Sequence, residues 1–327
     1  MRTQVILFMG ANEFSVRVAR KTREAVDINS YELVAMDERD LPAFEAGAHV
    51  DVHLPNGLVR QYSLCGMPHR RDRYRIAVLR DPKTRGGSEA IHDLVHEGDT
   101  LRISWPRNLF RLSDGPQTSI LLAGGIGVTP LLAMAYHLHA QGRPFALHYF
   151  ARSKERVAFL AELQSAAFAS NIAFHLDDAA AAGKKPLCAL LENMPRDAHI
   201  YTCGPTGFLN HVLETASALD WPAAQVHHET FSPPQAVTGD SFEVRILSTG
   251  QSVVVAQDET VVSAVARIGV EIPVSCEQGI CGTCLTRVVE GVPDHHDQYL
   301  TDDEHEKNDQ FTPCCSRSRT KVMVLDI

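Results

Sequence analysis

The chain has no apolar run approaching the roughly 20 residues that cross a bilayer, so its 327 residues offer no membrane span. It has no basic surplus. Lys and Arg number 31 against 40 Asp and Glu, a net charge of −9, and the footprint of a nucleic-acid binder is missing. Internal repeats and low-complexity stretches are absent, as is any constellation resembling an acid–base triad. There is no second C-x2-C pair to complete a structural zinc site. Cysteine is present at eight residues, but four belong to one motif, which leaves no disulfide framework and points to a reducing cytoplasm. The apolar start, Met1 to Gly10, has a brief hydrophobic core and no small-residue cleavage site, so it reads as an N-terminal arm rather than a signal peptide. With 44% hydrophobic and 22% charged residues, the composition is that of a globular protein long enough for two or three domains.

What is there is concentrated near the C-terminus. Cys276, Cys281 and Cys284 are spaced C-x4-C-x2-C, and Cys314 follows after a long interval. Thiolates bind soft metal centres, and this opening spacing holds a plant-type [2Fe–2S] cluster. Gly279 and Gly282 stand where backbone must wrap closely around inorganic sulfide. Such a centre passes one electron at a time, so the chain reads as an electron carrier. Cys314 and Cys315 are adjacent; the interval favours Cys314 as the fourth ligand, with Cys315 a small apolar neighbour.

Three textures divide the chain. Residues 15–113 alternate apolar and polar, as in Val16-Arg17-Val18 and Arg75-Ile76-Ala77-Val78, and predict antiparallel strands of a small barrel or sandwich. From 114 to 230 the pattern changes to apolar runs such as Ile120-Leu121-Leu122-Ala123 and Phe145-Ala146-Leu147. These alternate with helical stretches near 130–138 and 157–165, and the alternation predicts a parallel α/β sheet. Residues 231–240, with Pro233 and Pro234, read as a semi-rigid linker. Residues 241–327 form a third, mostly β domain that carries fourteen acidic against seven basic residues. Its run from Thr301 to Glu306 reads as a solvated face, with steering toward a basic partner as the alternative. His295 and His296 are expected in solvent beside it. His137 and His139, two apart on a helix, share no face and predict no metal site.

Two further regions suit cofactors. Gly124-Gly125-Ile126-Gly127-Val128-Thr129-Pro130 follows a buried strand and opens a helix. It departs from G-x-G-x-x-G, but glycines there admit a pyrophosphate beside unpaired N–H groups. Cys203-Gly204-Pro205 ends a later strand at the same carboxyl edge, where Cys203 reads as part of a nicotinamide pocket. Upstream, Arg60 and Tyr62 share one face of a strand and Gln61 and Ser63 the other. Together they supply a cation, an aromatic wall and hydrogen-bond partners for a flavin. Gly86-Gly87-Ser88 follows, with Ser88 an expected N-cap and a helix N-terminus open to phosphate.

On Arg60-Gln61-Tyr62-Ser63-Leu64, Gly86-Gly87-Ser88, Pro106-Arg107-Asn108-Leu109-Phe110, the 124–130 loop, Cys203-Gly204-Pro205 and the cysteine set, the chain resembles the phthalate dioxygenase reductase family, which includes vanillate O-demethylase reductases. The resemblance runs from about residue 15 to the end. The family pattern Cys-x-Ser-Arg stands here as Cys314-Cys315-Ser316-Arg317 and again selects Cys314. The resemblance implies an FMN-binding antiparallel β-barrel, an NADH-binding parallel α/β domain and a C-terminal β-grasp plant-type ferredoxin domain. FMN rather than FAD comes from the family, since the local residues do not exclude an adenylate.

By the same resemblance, Arg60 and Ser88 hold the FMN phosphate, and Tyr62 and Ser63 border the flavin ring. Gly125, Gly127 and Thr129 lie near the pyridine nucleotide, and Cys203 near its nicotinamide. Phe231 covers the flavin or packs in the core. Arg152-Ser153 stand where an acid would accept the ribose hydroxyls; that pair could instead accept a 2′-phosphate, and NADH is the family's choice. The implied activity is an NADH-dependent oxidoreductase that passes electrons through FMN and the [2Fe–2S] centre to a Rieske-type terminal oxygenase. The protein is expected to be monomeric and cytoplasmic. Alternatives are a cytochrome P450 or other monooxygenase as acceptor and, in a different class, a redox sensor without turnover.

Overall fold

The computed structural model describes residues 13–37, 39–81, 86–177, 187–231, 238–274, 279, 282–297 and 299–327. The chain separates into two compact units, Met1–Phe231 and Ser232–Ile327.

The first unit begins with six antiparallel strands: β1 (Glu13–Ala25), β2 (Ile28–Ala35), β3 (His49–His53), β4 (Val59–Ser63), β5 (Tyr74–Leu79) and β6 (Thr100–Ser104), ordered β4-β3-β6-β1-β2-β5. Period-two alternation produces this sheet because each strand presents one row of apolar residues to a common interior. Val16, Val18, Tyr31, Leu33, Val50, Val52, Tyr74, Ile76 and Ile103 form that interior. The two edge strands meet: Leu64 bridges Ile76, and Cys65 N–H donates to the Arg75 carbonyl at 2.8 Å. Glu13 and Phe14 already pair with Ser104 and Ile103, two residues inside the expected arm. Helix α1 (Gly87–Leu94) lies between β5 and β6 and buries Ala90 and Ile91.

Next come β7 (Ser119–Gly124), α2 (Val128–Ala140), β8 (Phe145–Ala151), α3 (Leu160–Ser165), β9 (Ile172–Leu176), α4 (Leu187–Glu192), β10 (His199–Gly204), α5 (Thr206–Ala218) and β11 (Val226–Thr230). The five strands are parallel and ordered β11-β10-β7-β8-β9. Residues 119–124 are buried throughout, as a central parallel strand covered on both faces requires. The order reverses between β7 and β10, which opens a crevice at their carboxyl ends. The helix expected over 157–165 starts only at Leu160, because Val157 is extended and Ala158 and Phe159 form a turn in which Phe159 takes a left-handed φ of 60°. Antiparallel and parallel sheets share one hydrophobic cluster, in which Ile28, Cys65, Ala77 and Phe110 join Leu121, Leu131, Met134 and Phe159.

The second unit contains β12 (Phe242–Ile246), β13 (Ser252–Val255), α6 (Val261–Ala266), β14 (Thr286–Glu290), β15 (Pro293–Asp294), α7 (Asp302–Lys307), β16 (Gln310–Phe311), β17 (Arg317–Ser318) and β18 (Val322–Asp326). Its main sheet runs β13-β12-β18-β14-β16, with β12 and β18 parallel and the other pairs antiparallel. Helix α6 packs Val261, Ala264 and Val265 on that sheet. This is a β-grasp arrangement, a mixed sheet holding one helix. Arg317 is 2% exposed. Its guanidinium donates to the carbonyls of Asp240, Ala256 and Glu259 and lies over Phe242, which pins the start of β12. Most of the expected linker, 232–237, lies outside the described residues.

Candidate functional site

At the edge of the antiparallel sheet, β4 alternates as expected. Gln61 and Ser63 point one way, and Gln61 Nε2 donates to Asp51 Oδ1 at 3.0 Å. Arg107 grips the same carboxylate at 2.7 Å through both oxygens. Gln61 therefore belongs to a pairing that braces β3 and the Pro106–Phe110 segment. Arg60 points the other way and lies across the start of α1. A Cβ on Gly87 would sit 2.6 Å from Arg60 Nε, so only glycine lets the guanidinium reach the helix N-terminus. The helix N-cap is Gly86, at a left-handed φ of 88°, not Ser88. Ser88 instead sits in the first turn, where its Oγ accepts from Asp81 N–H at 3.1 Å. A cation beside a helix N-terminus is a fit for a phosphate. Tyr62 is partly buried against the same core, and burial pushes its phenol above the ordinary range.

Ser63 is buried, and its hydroxyl donates to Glu229 Oε2 at 3.3 Å. Glu229 sits on β11 directly beside Cys203 on β10. Desolvation pushes the Glu229 carboxyl up to about 8, against a lowering contribution from the Ser63 hydrogen bond. Glu229 is the residue that sequence reasoning passed over. Its one signal was position, two residues before Phe231 at the end of the last parallel strand. Cys203 is fully buried, and burial holds its thiol well above the usual range with Glu229 adding to the effect. It is a neutral wall at physiological pH rather than a nucleophile. Phe231, just past β11, is 38% exposed.

The glycines of the 124–130 loop divide by role. A Cβ on Gly127 would lie 2.1 Å from the Cys203 carbonyl oxygen, and one on Gly204 would lie 2.9 Å from Gly124 Cα. These two let β7 and β10 close upon each other at the crevice. Gly125 differs: its φ is 55° and nothing stands within 4 Å of its Cβ position, so it leaves the loop open. Thr129 donates its hydroxyl to the Ile126 carbonyl at 3.0 Å, which secures the entry to α2.

In the second unit, Cys276 and Cys281 lie outside the described residues. Cys284 and Cys314 are 3% and 5% exposed. Gly279 and Gly282 have φ of 71° and 70°, and Cβ atoms there would strike Cys315 Sγ and the Tyr299 ring. Buried thiols beside left-handed glycines fit a cluster loop. The Cys315 sulfur is instead tied to hydroxyls, 3.2 Å from Thr312 Oγ1 and 3.8 Å from Ser316 Oγ. Of the other described cysteines, Cys65, Cys188, Cys203 and Cys315 are in no disulfide. His295 departs from expectation. Its side chain is 8% exposed, stacked on His305 with ring centroids 4.2 Å apart, whereas His296 is in solvent as anticipated. The acidic run from Thr301 is helix α7, opened by a capping box in which Thr301 and Glu304 bond reciprocally.

An antiparallel sheet whose edge strands meet, a parallel sheet with a switch-point crevice and a β-grasp unit with buried Cys284 and Cys314 together define a flavin- and nucleotide-dependent iron–sulfur oxidoreductase. Residues 244–319 match the 2Fe-2S iron-sulfur cluster binding domain. The chain is 51% identical over 305 residues to the vanillate O-demethylase oxidoreductase of Pseudomonas sp. (strain HR199 / DSM 7063), covering 93% of this chain and 96% of that one. It matches the structure of phthalate dioxygenase reductase, described as modular for electron transfer from pyridine nucleotides to [2Fe–2S], with TM-score 0.75 and 37% identity. That match covers 96% of this chain and 98% of the other. An intact type IV self-sufficient cytochrome P450 monooxygenase matches with TM-score 0.80 and 34% identity, covering 96% of this chain but 41% of that one. The chain belongs to the phthalate dioxygenase reductase family of oxidoreductases.

Proposed function

We propose that this reductase carries electrons from NADH through FMN and a [2Fe–2S] cluster to the Rieske-type terminal oxygenase of an aromatic-ring dioxygenase or O-demethylase system. The observation that carries the reading is the meeting of Ser63, Glu229 and Cys203 at the carboxyl end of the parallel sheet, beside the strand that bears Arg60 and Tyr62.

Bound FMN would supply the conversion of one two-electron hydride into two single-electron transfers, and the cluster would carry those electrons one at a time. Arg60, Gly86, Gly87 and Ser88 hold the phosphate at the start of α1. Tyr62 and Ser63 would border the ring, and Phe231 would cover it. Gly125, with Thr129 behind it, and Gly204 give the pyridine nucleotide room at the crevice. The neutral Cys203 thiol would pack there without adding charge, and the Glu229–Ser63 pair would hold a proton beside Cys203. Cys276, Cys281, Cys284 and Cys314 ligate the cluster, and Cys315 buttresses it. The functional modules are residues 15–113, 114–230 and 241–327. The protein works as a cytoplasmic monomer; Cys65, Cys188, Cys203 and Cys315 are in no disulfide, which suits that compartment.

Anaerobic titration tests the relay. NADH should bleach flavin and cluster absorbance in the purified protein, and NADPH should do so far less efficiently. A spectrum indifferent to NADH in a cofactor-replete sample would sink the reading. The P450 match favours a second acceptor. Coupled NADH oxidation with a Rieske oxygenase but not with a P450 supports the first acceptor, and the opposite result supports the second. Steady turnover with cytochrome c would exclude a sensor without turnover.

A further inference from the structure

The second unit contains a side-chain cluster that the electron relay does not use. His295 and Asp297 follow β15, and His305 lies on α7. Asp297 has no side-chain exposure. Its Oδ2 accepts from the N–H groups of Tyr299 at 3.2 Å and Leu300 at 2.9 Å, which fixes the carboxylate. Its Oδ1 accepts from Ser316 Oγ at 3.4 Å and lies 3.3 Å from His305 Nε2 and 3.5 Å from His295 Nδ1. The His295 side chain is 8% exposed, its Nε2 has no hydrogen-bond partner, and its Nδ1 has only the long 3.5 Å contact to Asp297 Oδ1. A buried imidazole whose nitrogens are so poorly satisfied is costly, and a metal ion would relieve that cost.

We propose that His295 Nδ1, Asp297 Oδ1 and His305 Nε2 form a zinc site. The three ligand atoms lie within 4.8 Å of one another. Zinc bonds to imidazole nitrogen and carboxylate oxygen of about 2.0–2.2 Å set tetrahedral edges of roughly 3.3–3.5 Å. The two separations from Asp297 Oδ1 already have that length, and a ring rotation of His295 or His305 closes the third edge. Water takes the fourth position. Backbone N–H bonds to Oδ2 supply the outer support that orients a ligating carboxylate. Zinc suits two imidazoles and one carboxylate better than the hard cations, which prefer all-oxygen shells. Asp297 Cα lies 2.9 Å from where a Cβ on Gly279 would stand, so the ion would brace the wall of the cysteine loop. The site is independent of the redox relay.

The test uses the full-length, cluster-replete protein and zinc chloride. Isothermal titration should show one zinc bound per chain, with cluster absorbance unchanged. His305→Ala, which alters a partly exposed residue outside the cofactor sites, should weaken binding at least about tenfold. Zinc-edge X-ray absorption of the wild type should show imidazole and oxygen neighbours without sulfur. The proposal fails if His305→Ala binds zinc as tightly as wild type, or if the wild type takes up none. It fails equally if sulfur appears in the zinc shell, because the ion would then sit on cysteines. NADH bleaching, read on the same samples, reports separately on the relay.

Discussion

Ser63 Oγ and Glu229 Oε2 lie 3.3 Å apart although 166 positions separate them in sequence. One hydrogen bond thereby joins the edge of the antiparallel sheet to the edge of the parallel one. Its acceptor is a carboxyl raised to about 8 by burial.

That shift predicts a pH-dependent stability. Between the ordinary 4.5 and the raised value of about 8, the native state holds a proton that the unfolded chain has released. Stability from this group is complete below the lower value and declines as pH rises toward the upper one. Glu229→Gln removes the dependence, which is on the order of a few kcal/mol. Thermal midpoints measured from about pH 5 to pH 9 should show the variant gaining on wild type as pH rises. A gap that stays constant would refute the assignment.

Flavin retention should depend on Arg60 and on the smallness of Gly87. Arg60→Ala removes the cation at the helix start, and Gly87→Ala pushes it away, since the new methyl would sit 2.6 Å from Nε. Both should weaken FMN affinity by about tenfold or more, the equivalent of roughly 1.4 kcal/mol. Fluorescence of released flavin on dilution measures this. Ser88→Ala, whose hydroxyl accepts from Asp81 N–H, should have a smaller effect.

The cysteine assignment separates by variant. Cys284→Ser and Cys314→Ser should lose acid-labile sulfide and cluster absorbance while NADH still reduces the flavin at its normal rate. Cys315→Ser should keep the cluster, because its sulfur bonds to Thr312 and Ser316 hydroxyls that a serine can also satisfy. Loss of the cluster from Cys315→Ser with retention in Cys314→Ser would reverse the ligand choice.

Arg75 on β5 forms a two-pronged pair with Glu162 on α3, at 2.7 and 2.8 Å, and lies over the Phe159 ring. Burial would raise the Glu162 carboxyl, but the Arg75 hydrogen bonds outweigh it and hold the group below its ordinary range. Arg75→Met should cost about 2 kcal/mol, less than a fully buried pair because Glu162 keeps some water. Urea unfolding checks this. Adding Glu162→Gln should recover part of the loss, as a coupled pair requires.

Much of this organisation was readable from sequence, for physical reasons. Alternation in 15–113 has period two because one face is buried, and the continuous run at 119–123 marks a strand covered on both faces. The cysteine spacing and the glycine loops are local patterns dictated by local geometry. What escaped depends on residues meeting across the fold. Glu229 reads as one more polar residue in His227-His228-Glu229-Thr230 until β11 pairs with β10 and Ser63 arrives from elsewhere. His295 looked like a solvent residue in an acidic stretch, because no periodicity announces that α7 will fold over it. Ser88 was the better N-cap by chemistry. Gly86 holds the position because Arg60 must pass over the next residue.

Strand β18 lies between β12 and β14, so the middle of the ferredoxin sheet is made by Val322–Asp326. During synthesis every cysteine of the cluster motif is translated before that strand exists. Phe242–Ile246 waits some eighty residues for its parallel neighbour, a closure of high contact order and therefore slow. Iron and sulfide consequently meet a scaffold that completes itself only after the last thiol has been translated, and loading of the centre must follow chain elongation rather than accompany it.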